Sequence, residues 1–216
     1  MAEIAAEDTL LRARKELDPR LVLLAHPDSA RAAAFRQLCE GLLDGGPRVI
    51  AVTSAAPSEG KTCCAVNLAL AFAEQRVPRV LLVDGNFFEP ELAGVFGLDT
   101  TAQSSEALEL PWLAPYCIAE LTSCLHVAVM AGDQAPARFD ARRFDMLIDL
   151  LSGAGYDRIV IDAPAIDGSS AVRRVLASAD AVLLTVRSGR TTTRALRRAI
   201  DEVPRGRLLG ATLVDA

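Results

Sequence analysis

A chain of 216 residues, 51% of them hydrophobic, is long and apolar enough to bury the core of one α/β domain. Its net charge of −5 argues against a dedicated nucleic-acid binder, and no apolar run reaches the ~18 residues of a membrane span. The N-terminus is acidic, unlike a signal peptide. The five cysteines (Cys39, Cys63, Cys64, Cys117, Cys124) lack C-x-x-C spacing and read as free thiols in a reducing cytosol.

Taken in order, residues 2–17 read as a polar, charge-rich helix that Asp18-Pro19 ends, because a proline disfavours helix in the residue before it. A short apolar run, Leu21 to Leu24, leads to Pro27-Asp28-Ser29, whose chemistry caps a second helix. That helix places Phe35, Leu38, Leu42 and Leu43 on one face and stops at Gly45-Gly46-Pro47. Residues 1–47 are therefore expected to form a helical arm packed on the unit of alternating strands and helices spanning 48–216, one domain overall. Beyond the first strand, Arg79 to Asp84, Leu125 to Met130, Arg158 to Asp162, Ala181 to Val186 and Leu208 to Val214 read as strands. Phe139 to Leu151 and Thr191 to Val203 read as helices, and Ala102 to Ser123 as an irregular insertion with one short helix. Alternating strands and helices imply right-handed crossovers and a mainly parallel sheet in a three-layer α/β/α arrangement.

The most informative stretch is Val49 to Thr62: an apolar β-branched run, a small-residue turn, then Gly60-Lys61-Thr62 opening a helical pattern. Strand, loop and helix in that order are what a phosphate-binding P-loop requires. Backbone N–H groups of Pro57-Ser58-Glu59-Gly60-Lys61-Thr62-Cys63 (proline excepted) would meet the phosphates of ATP at a helix N-terminus. Lys61 would reach the β- and γ-phosphates, and Thr62 would ligate Mg²⁺. The strict motif begins with Gly where this chain has Ala55. Lys15 and Lys61 are the only lysines in an arginine-rich chain, and an ammonium is a compact charge for phosphate.

Two further carboxylates, Asp84 and Asp162, close apolar strands, at the end of a parallel sheet where ligands bind. Asp162 has the context of a Walker B aspartate near Mg²⁺. Asp84 would orient the metal or take a proton from an attacking hydroxyl. Lys61, Asp84 and Asp162 are thus the candidate catalytic residues, and Thr62, Asp84 and Asp162 the candidate metal residues. Arg187, Arg190, Arg194, Arg197 and Arg198 form a basic run, read as a solvated helix face balanced by Asp201 and Glu202 in preference to a DNA or acidic-partner surface.

Thr53 to Thr62 followed by Asn67 to Ala71, Val80 to Asn86 with Glu89-Pro90 and Phe96-Gly97-Leu98, and Tyr156 to Pro164 together resemble the bacterial tyrosine kinases (BY-kinases) of capsule and exopolysaccharide systems. That family lies within the MinD/ParA-type P-loop superfamily, and the resemblance runs over residues 20–214. It implies an ATP–Mg²⁺-dependent protein-tyrosine kinase that regulates polysaccharide production and export. The implied partner is the cytoplasmic tail of a membrane-embedded polysaccharide co-polymerase (chain-length regulator). A homo-oligomer and a cytoplasmic location, peripheral to the inner membrane through that partner, are implied as well.

Departures from the family pattern bear on turnover. Its second aspartate is Asn86 here, which cannot serve as a carboxylate base, and its following arginine is Phe88. Of the arm motif Glu-x-x-Arg-x-x-Arg, which helps close a ring of subunits, the positions hold Ala33, Arg36 and Cys39. The tyrosine cluster is reduced to Tyr116 and Tyr156, and the adenine-contacting Asn falls at Val214. Weakened kinase turnover is expected, with a non-catalytic ATP-dependent switch or scaffold as an alternative. A ParA/MinD-like positioning ATPase is a further alternative, disfavoured because the lysine typical of that group is Ala56 here.

Overall fold

A computed structural model describes residues 17–98, 116–130 and 140–215. The helix expected over residues 2–17 lies almost wholly outside them, as do Trp112 and Phe139. In chain order the elements are α1 (Val22–Ala25), α2 (Ala30–Leu43), β1 (Val49–Ser54), α3 (Lys61–Glu74), β2 (Val80–Asp84), α4 (Leu92–Phe96) and β3 (Tyr116–Glu120). There follow β4 (Leu125–Met130), α5 (Ala141–Gly153), β5 (Arg158–Asp162), α6 (Ser170–Ala177), β6 (Ala181–Arg187), α7 (Thr193–Glu202) and β7 (Leu208–Val214).

The strands form one seven-stranded sheet in the order β3-β4-β2-β5-β1-β6-β7, parallel except for β3. Every residue of β1 and β2 is buried, as expected of strands covered on both faces. Because side chains alternate along a strand, each strand feeds two cores. Ile50, Val52, Val80, Leu82 and Val160 pack with α1, α2, α3 and α4. Ala51, Leu81, Val83, Ile159 and Ile161 pack with α5, α6 and α7 on the opposite face. The expected three-layer α/β/α architecture is the one observed.

One local reading is corrected. Residues 116–120 are not irregular: they form β3, which pairs antiparallel with β4 from Tyr116↔Met130 to Glu120↔His126. The short segment Tyr116-Cys117-Ile118-Ala119-Glu120 carries no turn signal between its apolar positions, and only its partner strand specifies it. The apolar run Leu21 to Leu24 forms the N-cap and most of α1, a single helical turn. The second helix starts as its chemistry dictates, with the Ser29 hydroxyl accepting the Ala32 N–H at 3.2 Å. The sheet's outer strand β7 leaves Leu208, Leu209 and Leu213 exposed, Leu213 at 69%.

The arm is fastened to α3 by one fully buried side chain. The Asn67 carboxamide accepts the Leu23 N–H at 2.9 Å and donates to the carbonyls of Arg20 at 2.6 Å and Cys63 at 2.7 Å. Arg36 adds a two-pronged ion pair to Glu74 at the end of α3, with Nε–Oε2 at 2.6 Å and Nη2–Oε1 at 2.8 Å. Replacing Asn67 by Leu keeps the branched shape but strands Leu23 N–H and Arg20 C=O in an apolar place, each worth roughly 1–3 kcal/mol. Asn67→Leu is therefore expected to lower the urea midpoint markedly while Asn67→Gln loses less. Equal midpoints for parent and Asn67→Leu would show that the buried amide does not hold the arm.

Candidate functional site

The P-loop is built as its sequence requires. β1 ends at Ser54, whose hydroxyl donates to the Ala56 carbonyl at 2.6 Å, and the loop turns through two left-handed residues, Ser58 at φ 60° and Gly60 at φ 90°. Gly60 combines that backbone with close packing. A Cβ there would stand 3.4 Å from Val214 at the end of β7. α3 then begins at Lys61, placing the Lys61 and Thr62 side chains at its N-terminus, 8% and 7% exposed. The Lys61 ammonium makes no hydrogen bond among the described residues.

Thr62 donates its hydroxyl to Asp162 Oδ2 at 2.7 Å, and Asp162 Oδ1 is buried with no partner among the described residues. Asp84 and Asp162 are direct partners across β2 and β5, so the strand ends set the two carboxylates in one place. Gly85, just past β2, makes that approach possible. A Cβ there would come within 2.7 Å of Ile161 and 3.1 Å of the Asp162 carbonyl. The structure thus brings Lys61, Thr62, Asp84 and Asp162 together at the carboxyl end of the sheet.

The two carboxylates are employed differently. Both Asp84 oxygens accept backbone N–H groups, Oδ1 from Asn86 at 3.2 Å and Oδ2 from Leu92 at 3.0 Å, so Asp84 shapes the loop leading into α4. Asn86, 7% exposed, donates its amide to the Glu89 carbonyl at 2.8 Å and folds that same loop. Phe88, at the position where the family has arginine, is 56% exposed and meets the Phe87 ring in a tilted contact, centroids 4.3 Å apart. Burial pushes the Asp84 carboxyl up to about 8, and neighbouring Asp162 pushes the same way against the backbone N–H donors. Burial likewise pushes Asp162 up to about 7, opposed by the Thr62 hydroxyl and Lys61.

Sequence reasoning missed several neighbours. Arg20 bonds Asp18 and pairs with Glu91, which immediately precedes α4, and Arg20 and Glu91 both act electrostatically on Asp162. An isolated Arg and a loop Glu carry no motif, and only the fold joins them. The Glu59 side chain is buried and bonded within the protein, to the Ala56 N–H and the Thr191 hydroxyl. Cys63 faces the arm instead, its thiol donating to the Arg20 carbonyl at 3.6 Å.

Both tyrosines of the chain are buried. Tyr116 donates its hydroxyl to the Asp84 carbonyl at 2.6 Å, and the Tyr156 hydroxyl meets His126 Nδ1 at 2.9 Å beneath the Arg79 guanidinium. Arg36 is spent on Glu74 within the chain, and Cys39 is fully buried, so these two positions of the arm motif face inward. The basic run divides. Arg187 reaches the Ser58 carbonyl at 3.1 Å, whereas Arg190, Arg194, Arg197 and Arg198 lie on an exposed face. Glu202 pairs with Arg173 of α6.

Two predictions follow from the carboxylates. A raised folded-state carboxyl binds a proton that the unfolded chain has already released, so stability falls as pH rises between about 4 and 8. Thermal melts of the nucleotide-free protein are expected to show that decline, with a shallower slope for Asp162→Asn. An unchanged slope would place the titration elsewhere. Asn86→Asp would set a carboxylate against the Glu89 carbonyl and beside Asp84. A lower melting temperature is expected, most pronounced above about pH 8, where both groups would have to ionise. A variant as stable as the parent at all pH values would mean that Asn86 is replaceable.

No protein-family model matches the chain. Tyrosine-protein kinase YwqD of Bacillus subtilis is 24% identical over 202 residues, covering 89% of this chain and 84% of that protein. Succinoglycan biosynthesis transport protein ExoP of Rhizobium meliloti is 29% identical over 206 residues, 89% of this chain but only 26% of that much longer protein. Among solved structures, the kinase domain of Escherichia coli tyrosine kinase ETK superposes with a TM-score of 0.73 at 20% identity, over 94% of this chain and 82% of that one. The septum site-determining protein MinD of Pyrococcus horikoshii, solved with Mg-ADP, gives 0.59 at 22% identity over 77% and 69%. The chain thus shares its fold with these kinase-domain and MinD structures, and in sequence it resembles the bacterial tyrosine kinases.

Proposed function

We propose that this chain binds ATP with Mg²⁺ and acts as a nucleotide-dependent regulator of the bacterial tyrosine-kinase type in exopolysaccharide or capsule production and export. The observation that carries this reading is the unpartnered Asp162 Oδ1, buried beside a carboxylate oxygen already held by the Thr62 hydroxyl. A buried carboxylate oxygen with nothing to accept is costly unless a cation or its water meets it. The donor set also suits Mg²⁺, which takes few protein oxygens and keeps waters and phosphates as its other ligands.

In this reading Thr62 and Asp162 hold Mg²⁺, and Lys61 places its ammonium on the β- and γ-phosphates. Mg²⁺, when bound, offsets the negative charge of the phosphates. Asp84 is the remaining candidate for orienting the metal or accepting a proton. Its engagement with Asn86 and Leu92 N–H groups favours the first, fixing the floor of the site. With Asn86 unable to act as a second carboxylate, phosphoryl transfer should be slow, and the buried Tyr116 and Tyr156 make poor acceptors within the folded chain.

The acceptor then belongs to another molecule. The resemblance favours a tyrosine on the cytoplasmic tail of a membrane-embedded polysaccharide chain-length regulator, at the inner membrane. No helix among the described residues is long and apolar enough to cross a membrane, which agrees with recruitment by a partner. A nucleotide switch without transfer is the second reading, favoured by the engagement of Asp84.

Lys61→Ala should weaken ATP binding by an order of magnitude or more, from loss of charge-assisted bonds at roughly 1.5–3 kcal/mol. Asp162→Asn should weaken binding with Mg²⁺ far more than binding without it. Calorimetric titration of both variants, with and without Mg²⁺, checks the site. Parent-like affinity in Lys61→Ala, or an identical loss for Asp162→Asn in the two conditions, would remove it. Labelled ATP with the partner tail, followed by phosphosite mapping, separates kinase from switch. Strong labelling of Tyr116 or Tyr156 in folded protein would contradict the acceptor assignment.

A further inference from the structure

We propose that Glu59 is a positioning residue that fixes the phosphate loop and couples its occupancy to the turn between β6 and α7. The proposal rests on the ATP-site reading above.

Glu59 is 1% exposed, yet it is a glutamate at the tip of a loop. Its two oxygens are used on opposite sides. Oε2 accepts the Ala56 N–H at 3.0 Å, and Oε1 accepts the Thr191 hydroxyl at 2.5 Å. Thr191 in turn accepts the Arg187 N–H at 2.9 Å, so the donors run in one sense from Arg187 through Thr191 to Glu59. The same turn holds the loop twice more. The Arg187 guanidinium donates to the Ser58 carbonyl at 3.1 Å, and Ser188 N–H donates to the carbonyl of Val214, whose side chain lies against Gly60.

Such a set of contacts has a physical purpose at this place. Ser58 sits at φ 60°, a conformation that a non-glycine residue keeps only when its surroundings impose it. Glu59 ties off the Ala56 N–H, and Arg187 holds the Ser58 carbonyl. The loop is thereby shaped before any phosphate arrives, and preorganisation of that kind raises affinity by lowering the ordering cost. Residues 188–190, by contrast, are exposed. Whatever ordering the turn lends the loop, an occupied loop must return to the turn, because coupling between two sites is reciprocal.

The test uses the whole chain with Mg-ATP and the variants Thr191→Val, Thr191→Ser and Glu59→Gln. Thr191→Val keeps shape and removes the hydroxyl. It should weaken ATP binding about three- to tenfold, the range of one lost hydrogen bond, and Thr191→Ser should restore it. Glu59→Gln, which keeps an acceptor for one partner, should fall between. A merely structural contact would not move the second readout. In parent and Thr191→Ser, Mg-ATP should slow amide hydrogen exchange across residues 188–192, and in Thr191→Val that protection should vanish. Parent-like affinity in Thr191→Val, or retained nucleotide protection of the turn, overturns the proposal. Lys61→Ala run alongside tells the two failures apart. If it still binds ATP as the parent does, the ATP site itself has failed and the coupling with it. If it has lost binding while Thr191→Val has not, only the coupling is wrong.

Discussion

A carboxylate buried away from water must take up a proton, meet a cation or be surrounded by donors, and this fold sets two such groups side by side. Asp84 and Asp162 face each other because β2 and β5 pair in register and because Gly85 lets the chain leave β2 against the β5 backbone. The fold resolves the conflict asymmetrically. Asp84 is given donors, the Asn86 and Leu92 N–H groups, and becomes a structural acceptor. Asp162 is given the Thr62 hydroxyl, with the Lys61 charge close by, and keeps one oxygen unused. In the proposed reading the group left short of partners among the described residues is the one that meets the metal, and Asp84, held by its donors, orients it from beside.

The same division alters the meaning of Asn86. From sequence alone it reads as a lost base, a deletion of chemistry. In the structure its amide is a donor to the Glu89 carbonyl within the loop that Asp84 organises, so Asn86 has work that aspartate would perform badly. Phe88, in tilted ring contact with Phe87 and turned to solvent, belongs to that loop as well. The position that lacks a second carboxylate is the one whose amide closes the turn.

Legibility in the sequence tracked how local each signal was. The buried strands were readable because runs such as Val80-Leu81-Leu82-Val83 need no partner to be recognised, and the P-loop because strand, turn and helix are contiguous. Ser29 declared its helix through capping chemistry. What escaped was specified at a distance. β3 exists through its antiparallel pairing with β4, α4 is a five-residue turn stapled by Asp84, and α6 is an eight-residue helix between two strands. The Arg20–Glu91 pair spans 71 positions and the Glu59–Thr191 bond 132. The motif places the Glu59 backbone N–H near a nucleotide, but only the fold shows its side chain joined to the Ala56 N–H and the Thr191 hydroxyl. A motif names the residues near a ligand and is silent about which way each one points.

The fastening of the arm has a further consequence for how such chains can be cut and recombined. Asn67 lies in α3 and Glu91 beside α4, but both are completed by the arm, through the Arg20 and Leu23 backbone and the Arg20 side chain. Leu21, Val22 and Leu23 complete the same apolar core as Leu68 and Phe72. A chimera joined at residue 47 would keep the phosphate motif intact while opening the apolar core beneath α3 and leaving a buried amide without its complement. The natural module for exchange between related chains is therefore arm and P-loop together, and sequence identity within the motifs is a poor guide to where a graft will hold.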